Sequence, residues 1–259
     1  MKLNQLQKHW DEFGKRDPLW AILTLPEKAN GGWDPAEFFA NGEDEIQRAV
    51  SYARDQKAEL NPQRALDFGC GVGRLTQALC QHFAECHGVD IAPSMIAGAN
   101  RYNQYPTRCH YHLNDQDNLR LFPDNSFDFI YSVIVLQHIR PEYSLRYIRE
   151  FLRVLAPNGI ALFQIPSHLA NPPLPAGASK HWRALLGQQP AVLFKHLVQS
   201  LLQKPEEHKP ITNPIMEMYG VQQEIVIEAV QRAGGKILAV EDDGWAGESW
   251  VSYRYCVSK

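Results

Sequence analysis

The stretch LDFGCGVGRLT, residues 66–76, constrains the fold of this chain more than any other segment. A short apolar run reaches three alternating glycines, Gly69, Gly71 and Gly73, and a helical pattern follows directly. A strand that ends in glycines and opens a helix brings backbone N–H groups close to a ligand. The pattern therefore predicts a parallel α/β sheet with a ligand site at the end of its first strand.

Strand and helix signals alternate along most of the remaining chain. Strand-like segments are RALDF, ECHGVD, RCHYHL, residues 127–132, IALFQIP, KILAVED and SWVSYRYCVS. Helical segments lie between them, one opening at Pro93 and another, PEYSLRYIREFLRVL, with its apolar residues on one face. We expect an α/β fold with a seven-stranded, mostly parallel sheet that helices cover on both faces.

Two segments depart from this alternation. Residues 1–40 are rich in aromatic side chains, and a helix is predicted to follow with Asn41 as its N-cap. Residues 166–219 open with a proline-rich loop and continue into a helical stretch with Leu193, Leu197 and Leu201 on one face. The predicted organisation is an N-terminal helical and aromatic cap at 1–60, a core at 61–165 and 220–259, and an inserted lid at 166–219.

The glycine spacing and two carboxylates indicate what the loop binds. The spacing G-x-G-x-G matches neither the dinucleotide fingerprint nor the P-loop. Asp67, before the first glycine, would repel a phosphate and suits a ligand with an ammonium group; the alternative is a helix cap. Asp90, at the end of the next strand, is placed to accept hydrogen bonds from both hydroxyls of a ribose. A ligand with an amino acid and a ribose is S-adenosylmethionine.

These motifs resemble those of class I S-adenosylmethionine-dependent methyltransferases of the small-molecule type 11 and type 12 group. LDFGCGVGRLT resembles the first family motif, GVDIAPSMI the second, NDQDNLRLFPDNSFDFIYS the adenine loop, and EFLRVLAPNGIALFQIP the closing helix and strand. The resemblance implies a Rossmann-like class I fold with an antiparallel last strand. It also implies S-adenosyl-L-methionine as cofactor and S-adenosyl-L-homocysteine as product.

The resemblance assigns cofactor contacts to positions of this sequence. The expected cofactor-binding residues are Asp67, Gly69, Cys70, Gly71, Gly73, Asp90, Ile91, Met95, Asp115, Gln116, Ser132 and Val133. Met95 is placed to pack on the adenine, with a purely core role as the alternative. Asp115 is the expected partner of the adenine amino group, and Asn114 and Asp117 are rival candidates.

Residues after the fourth strand are the candidates for acceptor chemistry. Gln137 and His138 follow that strand, whose end faces the transferred methyl group in this fold. His138 is the candidate catalytic residue, since an imidazole can deprotonate a hydroxyl or amine; a structural role at a helix start is the alternative. Aromatic residues outside the core are candidates for a substrate pocket, with ordinary packing as the alternative: Trp10, Phe13, Trp20, Tyr219 and Trp245.

Composition limits the partners. The formal net charge is -3 and no long basic run is present, so no nucleic-acid partner is expected. The first residues are polar and no apolar run approaches the length of a membrane span, which predicts a cytoplasmic protein without a membrane partner. The five cysteines form no CxxC pair, so neither a metal site nor a disulfide framework is expected.

The leading hypothesis is methyl transfer to an oxygen or nitrogen of a small-molecule acceptor. Alternatives are a methyltransferase acting on a protein, peptide or RNA, and a protein that binds the cofactor without catalysis. A nicotinamide-dependent oxidoreductase is disfavoured by the glycine spacing and by Asp67. The identity of the acceptor and the oligomeric state do not follow from the sequence.

Overall fold

The computed structural model describes residues 1–56, 60–171, 211 and 213–259. Within these ranges, residues 1–170 and 213–259 form one compact unit. Most of the predicted lid, including the helix expected around Leu193, Leu197 and Leu201, lies outside the described residues.

The described strands form one seven-stranded sheet in the order β3-β2-β1-β4-β5-β7-β6. The strands are β1 Arg64–Phe68, β2 Glu85–Asp90, β3 Cys109–Leu113, β4 Phe127–Ser132, β5 Leu155–Leu169, β6 Lys236–Asp242 and β7 Trp250–Ser258. Neighbours among β1 to β5 pair in parallel, whereas β7 runs antiparallel to both β5 and β6. The predicted α/β sheet with an antiparallel last strand is confirmed.

Helices flank the sheet and form the N-terminal segment. The α-helices of the described ranges are α1 Leu3–Arg16, α2 Pro18–Ile22, α3 Pro35–Gln56, α4 Arg74–Leu79, α5 Pro93–Tyr102, α6 Pro141–Val154 and α7 Gln223–Arg232. The predicted start of α3 at Asn41 is wrong. The helix begins at Pro35, where the side chain of Asp34 accepts a hydrogen bond from the backbone N–H of Glu37 at 3.0 Å.

The core has a layer on each face of the sheet. On one face, Phe127 and Ile130 of β4 pack with the apolar side of α6, which includes Phe151 and Leu152. On the other face, Phe129 of β4 packs with α3 and α4. Side chains alternate between the two faces from Phe129 onward, and an irregularity in the pairing with β5 between Phe127 and Phe129 puts Phe127 on the same face as Ile130. Both faces are buried, which explains why the strand reads as a nearly continuous apolar run.

The N-terminal helix and the segment 213–221 lie against the carboxyl edge of the parallel strands. Oδ1 of Asp11 in α1 accepts from the backbone N–H of Ser94, at the start of α5, at 2.8 Å. The backbone N–H of Tyr219 donates to the carbonyl oxygen of Gln137, just after β4, at 2.7 Å. These contacts place both segments beside the strand ends, where ligands bind in open parallel sheets.

None of the helices that the structure describes is long and apolar enough to cross a bilayer. The five cysteines are all buried as free thiols.

Candidate active site

A cavity of about 590 Å³ opens at the carboxyl ends of β1, β2 and β4. Its size falls within the range of small-molecule and cofactor sites. The structure brings eleven of the residues predicted from the sequence to its wall: Trp10, Gly69, Cys70, Gly71, Asp90, Ile91, Met95, Val133, Gln137, His138 and Trp245.

The glycine loop presents bare backbone to this cavity. Gly69 and Gly71 have φ angles of +80° and +52°, in the region that favours glycine. A Cβ atom added at Gly69 would lie 2.3 Å from Val135, and one at Gly71 would lie 2.4 Å from Ile22. The backbone N–H groups of Gly69 and Cys70 both donate to the carbonyl oxygen of Val89, which draws the loop toward β2.

Asp90 is fixed at the end of β2 by two backbone donors. Its Oδ2 accepts from the N–H of Gly71 at 2.9 Å, and its Oδ1 accepts from the N–H of Ala92 at 2.8 Å. Burial raises the pKa of this carboxyl group, while the backbone hydrogen bonds act in the opposite direction. Each oxygen retains a second lone pair, so the carboxylate can still accept from ligand hydroxyls.

Asp67 does not reach the cavity wall, contrary to its predicted contact with the cofactor. Its side chain is buried, and its Oδ2 accepts from the hydroxyl of Thr76 at 2.7 Å. Burial raises the pKa of Asp67 to about 7. Alternation along β1 turns this side chain toward α4, so Asp67 ties the strand to the helix behind the loop.

A buried ion pair that the sequence did not reveal lies at the wall instead. Glu45 of α3 and Arg74 of α4 both line the cavity, with Oε2 and Nη2 2.9 Å apart. The hydroxyl of Tyr131 donates to Oε1 of Glu45 at 3.1 Å. Asn41 and Arg48 line the cavity from the same helix as Glu45. The spacing of Asn41, Glu45 and Arg48 puts them on one face of the helix.

Asn114, rather than Asp115, lines the cavity next to Asp90. Its backbone N–H donates to the carbonyl oxygen of Asp90 at 2.9 Å, and its side chain is buried. Asp115 accepts from the side-chain amide of Gln116, and Asp117 pairs with Arg146. Asp115, Gln116 and Asp117 do not reach the wall, so only Asn114 of the three candidate partners of the adenine is placed to meet it.

His138 lies in a short 3-10 turn, Leu136–His138, and is buried. Its Nδ1 lies 2.8 Å from the carbonyl oxygen of Glu217, and its ring centroid is 5.2 Å from that of Trp10. Burial lowers the pKa of His138 to about 4, so the imidazole is uncharged near neutrality. Two methionines that flank Glu217, Met216 and Met218, also line the cavity and were not predicted.

The remaining predicted residues have other contacts. Phe13 packs on Trp10, the indole N–H of Trp20 donates to the carbonyl oxygen of Leu25, and the hydroxyl of Tyr219 bonds to Glu217. These three aromatic side chains do not line the cavity. They pack within the segments whose other residues form its wall. Ser132 and Gly73 are also absent from the wall: Ser132 donates to the carbonyl oxygen of Phe68, and Gly73 is the N-cap residue of α4.

The residues at the wall fit S-adenosylmethionine. Asp90 can accept from ribose hydroxyls, and Ile91 and Met95 offer apolar surface beside the amide of Asn114. The zwitterionic methionine end requires charges of both signs, which Arg48 and the Glu45–Arg74 pair supply. In the ranges that the structure describes, no group of three or more His, Cys, Asp or Glu is placed to hold a metal ion.

Comparisons with known proteins agree with this geometry. Residues 66–163 match the methyltransferase domain family. Malonyl-[acyl-carrier protein] O-methyltransferase of Halorhodospira halophila is 34% identical over 123 residues, which cover 46% of this chain and 41% of that protein. Trans-aconitate 2-methyltransferase of Methylobacterium radiotolerans is 32% identical over 166 residues, covering 62% of this chain and 60% of that protein. The chain thus spans about half the length of these curated relatives.

A solved structure extends the likeness to nearly the whole fold. Magnesium protoporphyrin IX methyltransferase from Synechocystis, with bound S-adenosylhomocysteine, has a TM-score of 0.59 to this chain. The match covers 98% of each chain at 14% sequence identity. At this identity the likeness concerns the fold alone.

Proposed function

Because residues 66–163 match the methyltransferase domain family, we propose that this chain is a class I S-adenosylmethionine-dependent methyltransferase that transfers a methyl group to an oxygen or nitrogen of a small-molecule acceptor. The name of one relative, which refers to trans-aconitate, supports a small-molecule acceptor. The name of the other refers to malonyl-[acyl-carrier protein], an acyl group carried on a protein.

One observation carries the proposal: a single cavity is lined both by the cofactor-type residues Gly71 and Asp90 and by the polar pair Gln137 and His138. A ligand bound at the glycine loop therefore shares an enclosed space with a second, smaller molecule. Direct transfer between two bound molecules requires such an arrangement.

The bound cofactor supplies an electrophilic methyl group on a sulfonium. The protein then has to hold the acceptor in line with that methyl group, and proximity and orientation can lower the barrier by about 7–11 kcal/mol. Leu3 and Leu6 of α1, together with Met216 and Met218, give the wall an apolar portion next to His138. This surface keeps water from the reacting atoms, while Gln137 and His138 orient the acceptor.

The proposal is tested with methyl-deuterated S-adenosylmethionine and a cell extract separated into a low-molecular-mass fraction and a macromolecular fraction. We expect the label in a low-molecular-mass product with wild-type protein and its loss with Asp90→Ala. Transfer of the label to protein or RNA would contradict the proposal. Cofactor binding without transfer to either fraction would identify a binding protein without catalysis.

A further inference from the structure

The wall of the cavity has a charged part and an uncharged part. Among the described residues of the wall, the charged side chains are Glu45, Arg48, Arg74 and Asp90. Glu45 pairs with Arg74, which directly follows the glycine loop, and Asp90 bonds to the loop through the N–H of Gly71. As cofactor contacts, Asp90 serves the ribose and the other three serve the zwitterionic methionine end. This use leaves no charge of the described wall for the methyl acceptor.

The uncharged part of the wall is formed by α1, the turn after β4 and the segment 213–221. Its apolar members are Leu3, Leu6, Trp10, Ile139, Met216 and Met218. The two methionines reach the wall from either side of Glu217, whose carboxylate lies 3.0 Å from the N-terminal ammonium group of Met1. The acidic side chain between the methionines therefore has its own counter-ion and does not line the cavity.

Two polar side chains, Gln137 and His138, lie in the same part of the wall, and both are buried. The carbonyl oxygen of Glu217 can only accept, so Nδ1 of His138, 2.8 Å away, carries the imidazole hydrogen. Nε2 of His138 then has a single lone pair, and the amide nitrogen of Gln137 donates to it at 3.2 Å. His138 therefore fixes the amide of Gln137 and offers the acceptor no hydrogen bond of its own.

Gln137 is also held from its other side. The backbone N–H of Ile134 donates to Oε1 of Gln164 at 3.0 Å, so the amide nitrogen of Gln164 faces Oε1 of Gln137 at 3.3 Å. The amide nitrogen of Gln137 thus points toward His138 and keeps one hydrogen for a further partner. That hydrogen can bond to an oxygen or nitrogen atom with a lone pair.

A charged acceptor would have no counter-ion in this part of the described wall. Burying an ion without a partner costs far more free energy than burying an apolar group or a hydrogen-bonded neutral group. His138 cannot supply a charge, because an imidazolium would need an acceptor at Nε2, where the amide of Gln137 donates. The thioethers of Met216 and Met218 are flexible and polarisable, which suits an apolar molecule of irregular shape.

We infer that the methyl acceptor is an uncharged molecule with an apolar body, which packs against the two methionines and places an oxygen or nitrogen atom at the amide of Gln137. This inference rests on the proposed function and narrows its acceptor to one class. An uncharged acceptor distinguishes this chain from the relative named for trans-aconitate, which is an anion.

Two fluorescent probes with one ring system test the inference on the full chain saturated with S-adenosylhomocysteine at pH 7. N-phenyl-1-naphthylamine is uncharged, whereas 8-anilinonaphthalene-1-sulfonate carries an added sulfonate. Fluorescence titration should show that the uncharged probe binds about tenfold or more tightly than the sulfonate. Equal or tighter binding of the sulfonate, or no binding of the uncharged probe, would overturn the inference.

Charge variants show whether this preference arises at the uncharged part of the wall. Met218→Lys adds a cation there and should reverse the preference, so that the sulfonate binds more tightly than the uncharged probe. Met216→Lys carries the same expectation and serves as the second variant if the first does not fold. The control Ile225→Lys adds the same charge at an exposed position outside the wall and should keep the wild-type preference. An unchanged preference in the methionine variants would contradict the inference.

The natural acceptor can be sought without either probe. A low-molecular-mass cell fraction is passed at pH 7 through an anion exchanger and a cation exchanger, and each resulting fraction is incubated with the protein and methyl-deuterated S-adenosylmethionine. We expect a labelled product from the flow-through, which contains the uncharged molecules. Label in products of the retained fractions alone would overturn the inference. Absence of label from every fraction would instead contradict the proposed function, so the two failures are distinguishable.

Discussion

The carboxylate of Asp90 holds the backbone of Gly71: the Gly71 N–H donates to Oδ2 at 2.9 Å across the gap between β1 and β2. The same side chain accepts from the N–H of Ala92 through its other oxygen. One acidic residue therefore shapes the glycine loop and also lines the cavity where the ribose of a cofactor would lie.

Replacing Asp90 should weaken cofactor binding. Asp90→Ala removes charge-assisted hydrogen bonds worth about 1.5–3 kcal/mol, so we expect the affinity for S-adenosylhomocysteine to fall about 10- to 100-fold. Calorimetric titration measures this change. Asp115→Ala is the matched control and should retain wild-type affinity, because Asp115 does not line the cavity. Unchanged binding by Asp90→Ala would refute the ribose assignment.

Alanine variants of two glycines with nearly the same φ angle distinguish the cost of backbone strain from the cost of a steric clash. Gly73 and Gly234 have φ angles of +84° and +82°. A Cβ atom at Gly73 would lie 2.2 Å from the hydroxyl oxygen of Tyr111, whereas one at Gly234 would have nothing within 4 Å. Gly234→Ala should reduce the free energy of unfolding by about 1–2 kcal/mol, and Gly73→Ala by a further 1–3 kcal/mol or so. Urea denaturation of both variants gives the comparison, and equal losses would contradict it.

The positions of the strands along the chain and the glycine loop were predictable because they depend on local patterns. Apolar runs such as RALDF, followed by glycines, determine where a parallel strand ends, and β1 and β4 begin and end where the sequence predicts. The position of Asp67 was not predictable in the same way. Its motif placed it near the loop, but the direction of its side chain depends on which face of β1 packs against α4.

The Glu45–Arg74 pair should contribute strongly to stability. Both side chains are at most 5% exposed, so Glu45→Ala leaves a buried guanidinium without its counter-ion. Such a loss costs about 3–5 kcal/mol. The control Glu228→Ala breaks an exposed pair with Arg232 and should cost about 0.5 kcal/mol or less. Thermal and urea denaturation distinguish the two, and a similar small loss in both variants would contradict the buried role of Glu45.

The part of the cavity near His138 contains contacts that could not be predicted from the sequence. His138 was predicted from its position after the fourth strand, but Glu217, whose carbonyl oxygen lies 2.8 Å from Nδ1 of His138, is distant in sequence. Met216 and Met218 reach the wall only because the segment 213–221 packs across the end of β4. Contacts of this kind depend on tertiary packing and leave no local periodicity in the sequence.

A histidine on β2 makes the stability of the fold sensitive to acid. Burial, followed by the positive charge of Arg64, lowers the pKa of His87 well below its ordinary value of 6.5. His87 Nδ1 also lies 2.9 Å from Nε2 of His112. Below about pH 6.5 the unfolded chain therefore binds a proton that the folded chain resists, so stability falls as pH decreases from there.

Urea denaturation between pH 7.5 and pH 5 tests this dependence. The free energy of unfolding of the wild type should decrease as the pH falls, and His87→Phe should show a smaller decrease over the same range. An identical pH dependence in the two proteins would show that His87 does not contribute to it.

The central claim is that the cavity binds S-adenosylmethionine, and calorimetric titration of the purified protein with S-adenosylmethionine, S-adenosylhomocysteine and NADH tests it most directly. The geometry of Asp90, the glycine loop and the Glu45–Arg74 pair predicts binding of the first two and not of NADH. Binding of NADH alone would contradict the account.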